Sequence, residues 1–152
     1  MDHQVIETRN DILIAATPEQ IYRFAAPTER WPQILPHYRY VRVRSQDGAR
    51  RVVEMGASRN GLPVSWTAEQ INDPNRPQIR FRHIEGWTRG MEVVWRFETE
   101  GTNTRVIIDH QLQFEFPIAA DFIGKHVVGN FFVHNIAAKT LARMKVLAEA
   151  NA

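Results

Sequence analysis

Between Tyr38 and Phe116 apolar and polar residues alternate almost throughout, and this period of two predicts a run of strands. Tyr38–Ser45 and Arg50–Arg59 flank the turn Gln46-Asp47-Gly48, and Asn60-Gly61 leads into Leu62–Ile71. Asn72-Asp73-Pro74-Asn75 breaks the chain before Gln78–Glu85. Met91–Thr99 and Thr104–Phe116 are joined through Glu100-Gly101-Thr102-Asn103. Such short connections make neighbouring strands antiparallel, because parallel neighbours need a long crossover. A further strand is expected at Ile6–Ala15. It is followed by a short helix in which Thr17 caps, Pro18 takes the first position and Gln20 completes a capping box. A second short helix starts at Thr28 and is stopped by Pro32 and Pro36. From Ile118 to Ala150 the pattern changes to a long proline-free helix. One helix cannot cover a flat sheet of this size, so the sheet is expected to curl around it and leave a pocket.

Alternation also assigns faces. Leu62, Val64, Trp66 and Ala68 share one side, ending at Gln70, while Ile79 and Phe81 share theirs with His83. Met91, Val93, Trp95 and Phe97 go together, as do Val106, Ile108, His110, Leu112 and Phe114. The other side carries Arg80, Arg82, Glu92, Arg96, Arg105 and Asp109. On the last helix Val133, Ala137, Leu141, Met144 and Ala148 form an apolar stripe that Phe132 and Ile136 widen. Burying its large side chains contributes roughly 1.5–3 kcal/mol each, so this stripe is expected to face the sheet. Gly56, Ala57, Gly61 and Ala68 are small enough to open space near the pocket mouth, although Gly61 reads equally as a turn residue.

Composition narrows the function classes. The 152 residues are expected to form one domain spanning 1–152, with 43% hydrophobic and 24% charged residues, ordinary for a globular chain. With no cysteine there is no disulfide scaffold, thiolate metal site or cysteine nucleophile. The pI of about 9.3 suggests nucleic acid, yet the net charge is only +2 and the arginines are scattered along strands. That distribution describes a solvated sheet face rather than a nucleic-acid interface. The start, MDHQVIETRN, lacks the apolar stretch of a leader, and no run is long enough to span a bilayer, so a cytoplasmic protein is expected. His126 and His134 stand too far apart on one helix to share a metal ion, and no phosphate-binding loop or catalytic triad signature is present.

The polar interruptions of the inner face are the candidate chemistry. His83 and His110 sit in otherwise hydrophobic rows. One reading makes them structural, neutralised by burial and bonded to neighbouring groups. The other places them on a pocket wall, where a neutral imidazole orients a ligand or moves a proton in enolisation or dehydration. Trp66 and Trp95 are either core packing or a platform for a flat ligand.

The segment Arg30-Trp31-Pro32-Gln33-Ile34-Leu35-Pro36-His37-Tyr38, between a capped short helix and the second strand, resembles the START-like helix-grip (SRPBCC) superfamily. Ser65-Trp66, Val94-Trp95-Arg96-Phe97, Gly101–Val106 and Lys139-Thr140-Leu141 carry the same likeness. The nearest branch is the polyketide cyclase/dehydrase group, with coenzyme-Q-binding START-like proteins as relatives. The resemblance implies an α+β helix-grip fold, a seven-stranded antiparallel sheet curled around a long C-terminal helix, with two short helices after strand 1.

It also implies a cavity for an apolar or polycyclic ligand, in which a tyrosine and arginines position a polyketide for aldol cyclisation and dehydration. Tyr38 matches the tyrosine. Gln70 stands at one arginine position and a second falls near His83. Tyr38 has opposite parity to Val41 and Val43, so its inward orientation requires a kink after Pro36. The catalytic candidates are thus Tyr38, His83, His110 and Gln70. The ligand-binding candidates are Trp31, Trp66, Phe81, Met91, Val93, Trp95, Ile108, Phe132 and Ile136. The expected partner is a hydrophobic small molecule, with no cofactor, metal or nucleic acid. The alternative to an enzyme is a carrier or chaperone for a quinone or lipid.

Overall fold

The computed structural model describes residues 4–59, 61–86, 88–114 and 134–152. The alternating segments become β1 (Gln4–Ile14), β2 (Tyr38–Asp47), β3 (Arg50–Arg59), β4 (Leu62–Asp73), β5 (Gln78–Glu85), β6 (Glu92–Glu100) and β7 (Asn103–Phe114). They form one seven-stranded antiparallel sheet in the order β1-β7-β6-β5-β4-β3-β2. β2 to β7 are a meander, and β1 closes it by pairing with β7 from Gln4↔Phe114 to Ile14↔Thr104.

β1 and β2 therefore lie at opposite edges, and the chain between them must cross the full width of the sheet. That crossing holds α1 (Pro18–Ala25), a 3-10 turn (Thr28–Arg30) and α2 (Trp31–Ile34). Thr17 Oγ1 accepts from Gln20 N at 3.2 Å and Gln20 Oε1 from Thr17 N at 2.9 Å, closing the capping box. Ile21 and Ala25 are buried and Phe24 half-buried, the face that alternates at helical spacing.

The C-terminal helix, α3 (His134–Ala150), buries Ala137, Thr140, Leu141, Met144 and Ala148 against the sheet. The expected helix before His134, with His126, Phe132 and Val133, lies outside the described residues. α3 is tied at both edges. On the β1 side Asn10 Nδ2 donates to the His134 carbonyl at 3.2 Å, Lys145 Nζ to the Leu13 carbonyl at 2.9 Å, and Ala15 N to Glu149 Oε2 at 2.8 Å. On the other side Arg143 Nε donates to the Ile34 carbonyl at 3.0 Å. No helix among the described residues is long and apolar enough to cross a membrane.

Two details correct the sequence reading. Tyr38 does turn inward, but through a β-bulge rather than a kink after Pro36. Tyr38 pairs with Ala57 and Tyr40 with Gly56, so Arg39 is an extra residue that inverts the parity of what precedes it. Tyr38, Val41 and Val43 then face the same side as Ala57, Met55 and Val53. Nor do the small residues open a mouth. Ala57 and Ala68 are wholly buried, Gly61 adopts φ +81° in a turn, and a Cβ on Gly56 would collide with the Tyr40 ring.

The arginines of the outer face pair with carboxylates, for example Arg9 and Arg96 with Asp109 at 2.7 and 2.9 Å and Arg105 with Asp11 at 2.9 Å. Exposed pairs of this kind add roughly 0.2–1 kcal/mol each, so the fold rests on the inner face.

Candidate functional site

Between the inner face and α3 lies a partly open cavity of about 80 Å³. One water needs only about 10–15 Å³ by that measure, so the interior is not packed solid. Its walls bring together eleven of the thirteen sequence candidates: Trp31, Tyr38, Trp66, Phe81, His83, Met91, Val93, Trp95, Ile108, His110 and Ile136.

Each functional side chain has a local reason for its place. Trp31 opens α2, and its Nε1 donates to the Ala25 carbonyl at 3.1 Å, so the end of α1 fixes the indole. That ring meets Tyr38 edge to face (centroids 4.9 Å, 69°), Trp95 at 5.7 Å and Phe81 at 6.1 Å. Aromatic pairs add about 0.5–1.5 kcal/mol beyond the area they bury. Burial raises the Tyr38 phenol above its ordinary pKa, so it keeps its proton. Among the described residues its hydroxyl has no hydrogen-bond partner.

His83 lies parallel to Trp66, with centroids 5.5 Å apart and planes 3° apart. Its Nδ1 is 2.7 Å from Thr88 Oγ1. The turn after β5 folds Thr88 back onto the strand, held by His83 N donating to the Met91 carbonyl and Gly90 N to the His83 carbonyl, both at 2.9 Å. Gly86 at φ 102° and Gly90 at φ 95° allow that path. Burial lowers the imidazole pKa to about 4.

His110 stands opposite Val93 on β6 and Thr8 on β1. It is half-buried, with Nδ1 enclosed and unpartnered. Burial, and then the nearby His83, lower its pKa to about 3, against a smaller opposing pull from Asp109. Trp66 Nε1 is likewise buried without a partner. Neither Nε2 of the two histidines is hydrogen-bonded among the described residues. The described wall thus carries no net charge at neutral pH, and the Tyr38 hydroxyl, both histidine Nε2 atoms and the Trp66 indole N–H are left without partners among the described residues.

Gln70 is the correction. It points inward and is fully buried, yet it lies off the cavity under the short helices. Its Nε2 donates to the Ala26 carbonyl and to Asn72 Oδ1, both at 2.8 Å, and its Oε1 accepts from Thr28 Oγ1 at 2.7 Å. An amide so engaged serves to fasten the crossing segment to the sheet. Phe132 lies outside the described residues. Met55, Val64, Thr88, Ala137 and Thr140 also line the cavity; Val64 and Ala137 belong to the inward rows read from the sequence, while Met55, Thr88 and Thr140 were missed. Met55 was legible, sharing parity with Val53 and Ala57. Thr140 lies one turn beyond Ala137 at the margin of the helical stripe. Thr88, in a turn, left no signal.

Residues 14–131 match the family described as polyketide cyclase / dehydrase and lipid transport. A putative polyketide cyclase of Streptomyces cyaneus is 29% identical over 102 residues, covering 65% of this chain and 67% of that protein. A crystallised protein of Thermus thermophilus superposes with a TM-score of 0.81 at 27% identity, covering 96% of this chain and 99% of the other. The Zhui aromatase/cyclase of Streptomyces sp. R1128 reaches 0.82 at 18% identity over 97% and 96% of the two chains, a likeness of fold.

Gln70→Ala is expected to lower stability by about 2–4 kcal/mol in urea unfolding, since Thr28 and the Ala26 carbonyl lose a buried partner. A loss below about 0.5 kcal/mol would contradict the fastening role. The buried histidines predict a pH effect of definite sign. Unfolded His83 takes up a proton near 6.5 but the folded residue only near 4. Stability is therefore full above 6.5 and declines as pH falls from 6.5 to about 4. Urea midpoints measured across that window should drop for the wild type and drop less for His83→Gln. Parallel profiles would refute it.

Proposed function

The chain belongs to the polyketide cyclase/dehydrase and lipid transport family, and from that premise we propose that its cavity binds an uncharged aromatic or polycyclic molecule and promotes polyketide-type aldol cyclisation and dehydration. One observation carries this reading. In an apolar hollow, the Tyr38 hydroxyl and the Nε2 atoms of His83 and His110 are left without partners among the described residues.

The chemistry follows from their states. Tyr38, protonated and aimed at a site with little water, donates to a substrate carbonyl and holds the enolate oxygen as negative charge develops. A neutral imidazole Nε2 takes the α-hydrogen. The enolate carbon forms the new C–C bond, and the aldol oxygen receives a proton in turn. Burial makes these imidazoles weak bases, and for the same reason makes their conjugate acids strong. Dehydration is then the step they serve best, by protonating the departing hydroxyl, which leaves as water after a second α-hydrogen is removed. Trp31, Trp66 and Trp95 hold the flat carbon skeleton. Phe81, Met91, Val93, Ile108 and Ile136 exclude water, and the absence of charge on the wall among the described residues favours a neutral guest.

The same lack of charge supports a second reading, a carrier that holds a neutral quinone or lipid without turnover. Mass spectrometry of an organic extract of the purified protein separates the two, since a tightly co-purifying quinone or lipid favours the carrier.

Tyr38→Phe is expected to slow cyclisation of a reactive poly-β-ketone chain about 10²-fold, the usual cost of one oxyanion donor. His110→Ala should slow it by about 10²–10⁴-fold, with dehydration affected more than ring closure. Rates equal to wild type in both variants would overturn the enzymatic reading.

A further inference from the structure

Thr140 and His37 meet at the edge of the cavity. Thr140 belongs to its helical wall, while His37 lies in an open groove outside it beside Lys139 and Arg143. Thr140 Oγ1 donates to the Ile136 carbonyl one turn back at 2.8 Å, and the same oxygen is 2.8 Å from His37 Nε2. A threonine hydroxyl has one hydrogen and two lone pairs. Were that hydrogen given to His37, Oγ1 would face the Ile136 carbonyl oxygen with lone pairs opposed at hydrogen-bond distance. Both contacts are hydrogen bonds only if Nε2 carries hydrogen and donates to Thr140. Protonation of His37 leaves that N–H in place, so the arrangement survives either charge state. Burial, and then Lys139, keep the ring neutral down to about pH 4.

We infer that Thr140, locked from outside by His37, presents to the cavity an oxygen that only accepts, so that the site selects a ligand bearing a phenolic or enolic hydroxyl at the helical wall. This rests on the aromatic-ligand reading above and adds the functional group by which the ligand is read. One lone pair of Thr140 remains after His37 has taken the other, and a ligand O–H satisfies it where an ether or ketone cannot. Tyr38, whose ring lies beside that of His37 with centroids 5.0 Å apart, supplies the complementary donor. A molecule that carries both a carbonyl and a hydroxyl meets both. His37 acts through Thr140 and is a positioning residue.

Calorimetric titration with 2-naphthol and 2-methoxynaphthalene tests this, because they differ only in hydrogen or methyl on the oxygen. The wild type should bind the naphthol about tenfold more tightly, the worth of one net hydrogen bond. Thr140→Val, which keeps the shape and removes the acceptor, should bring the two within about twofold. In His37→Phe the hydroxyl is free to turn and donate to the ether, so the gap narrows. In His37→Gln an amide N–H restores it. A wild type without preference, or Thr140→Val with the preference intact, overturns the inference. If neither compound binds the wild type, the aromatic-ligand reading falls and this inference with it. Nitrogen NMR of unliganded wild type needs no variant: hydrogen on His37 Nε2 is expected, and a bare Nε2 overturns the assignment.

Discussion

The site depends on a helix that is held away from the wall it faces. α3 offers Ala137 and Thr140 to a cavity whose other walls are Trp31, Trp66, Phe81 and Trp95. A helix free to move would settle onto those rings, because an unfilled gap forfeits dispersion contacts on both sides. It cannot settle, since Asn10, Leu13 and Ala15 hold one edge while Ile34 and His37 hold the other. The hollow is therefore a consequence of tethers at the rim combined with small side chains in the middle.

Charge is distributed to match. The convex face of the sheet carries arginines and carboxylates in exposed pairs, where water and salt screen them. Among the described residues the wall of the hollow keeps only groups that remain neutral in the pH range of a cell, a phenol raised by burial and imidazoles lowered by it, while the buried Arg51 elsewhere on the inner face is paired with Glu29. Any negative charge arising on a guest must then be met by oriented dipoles rather than by a fixed cation. Gln70, at the position where the resemblance implies arginine, does not change this, since its amide is spent on Thr28, Ala26 and Asn72.

Alternation made much of this visible beforehand. The inward rows of β5, β6 and β7, with both histidines in them, follow from period-two patterning alone, because one residue of slip would expose the whole row. The pattern failed where a strand is irregular or where something lies over it. An extra residue at Arg39 inverts the parity of Tyr38 and leaves no mark in the composition of β2. Gln70 obeys its parity, but parity says which side a residue faces and nothing about the helix above it. Thr88 reaches the site through a backbone turn, and Thr140 matters because of a hydrogen bond from a residue 103 positions earlier.

The placement of the indole rings gives the molecule an optical property. Three of its four tryptophans are among the described residues and all three border the hollow, one pinned through Ala25, one parallel to an imidazole and one against Trp31. Near-ultraviolet emission is consequently dominated by chromophores that touch whatever enters, and the protein carries its own built-in occupancy gauge without any added dye.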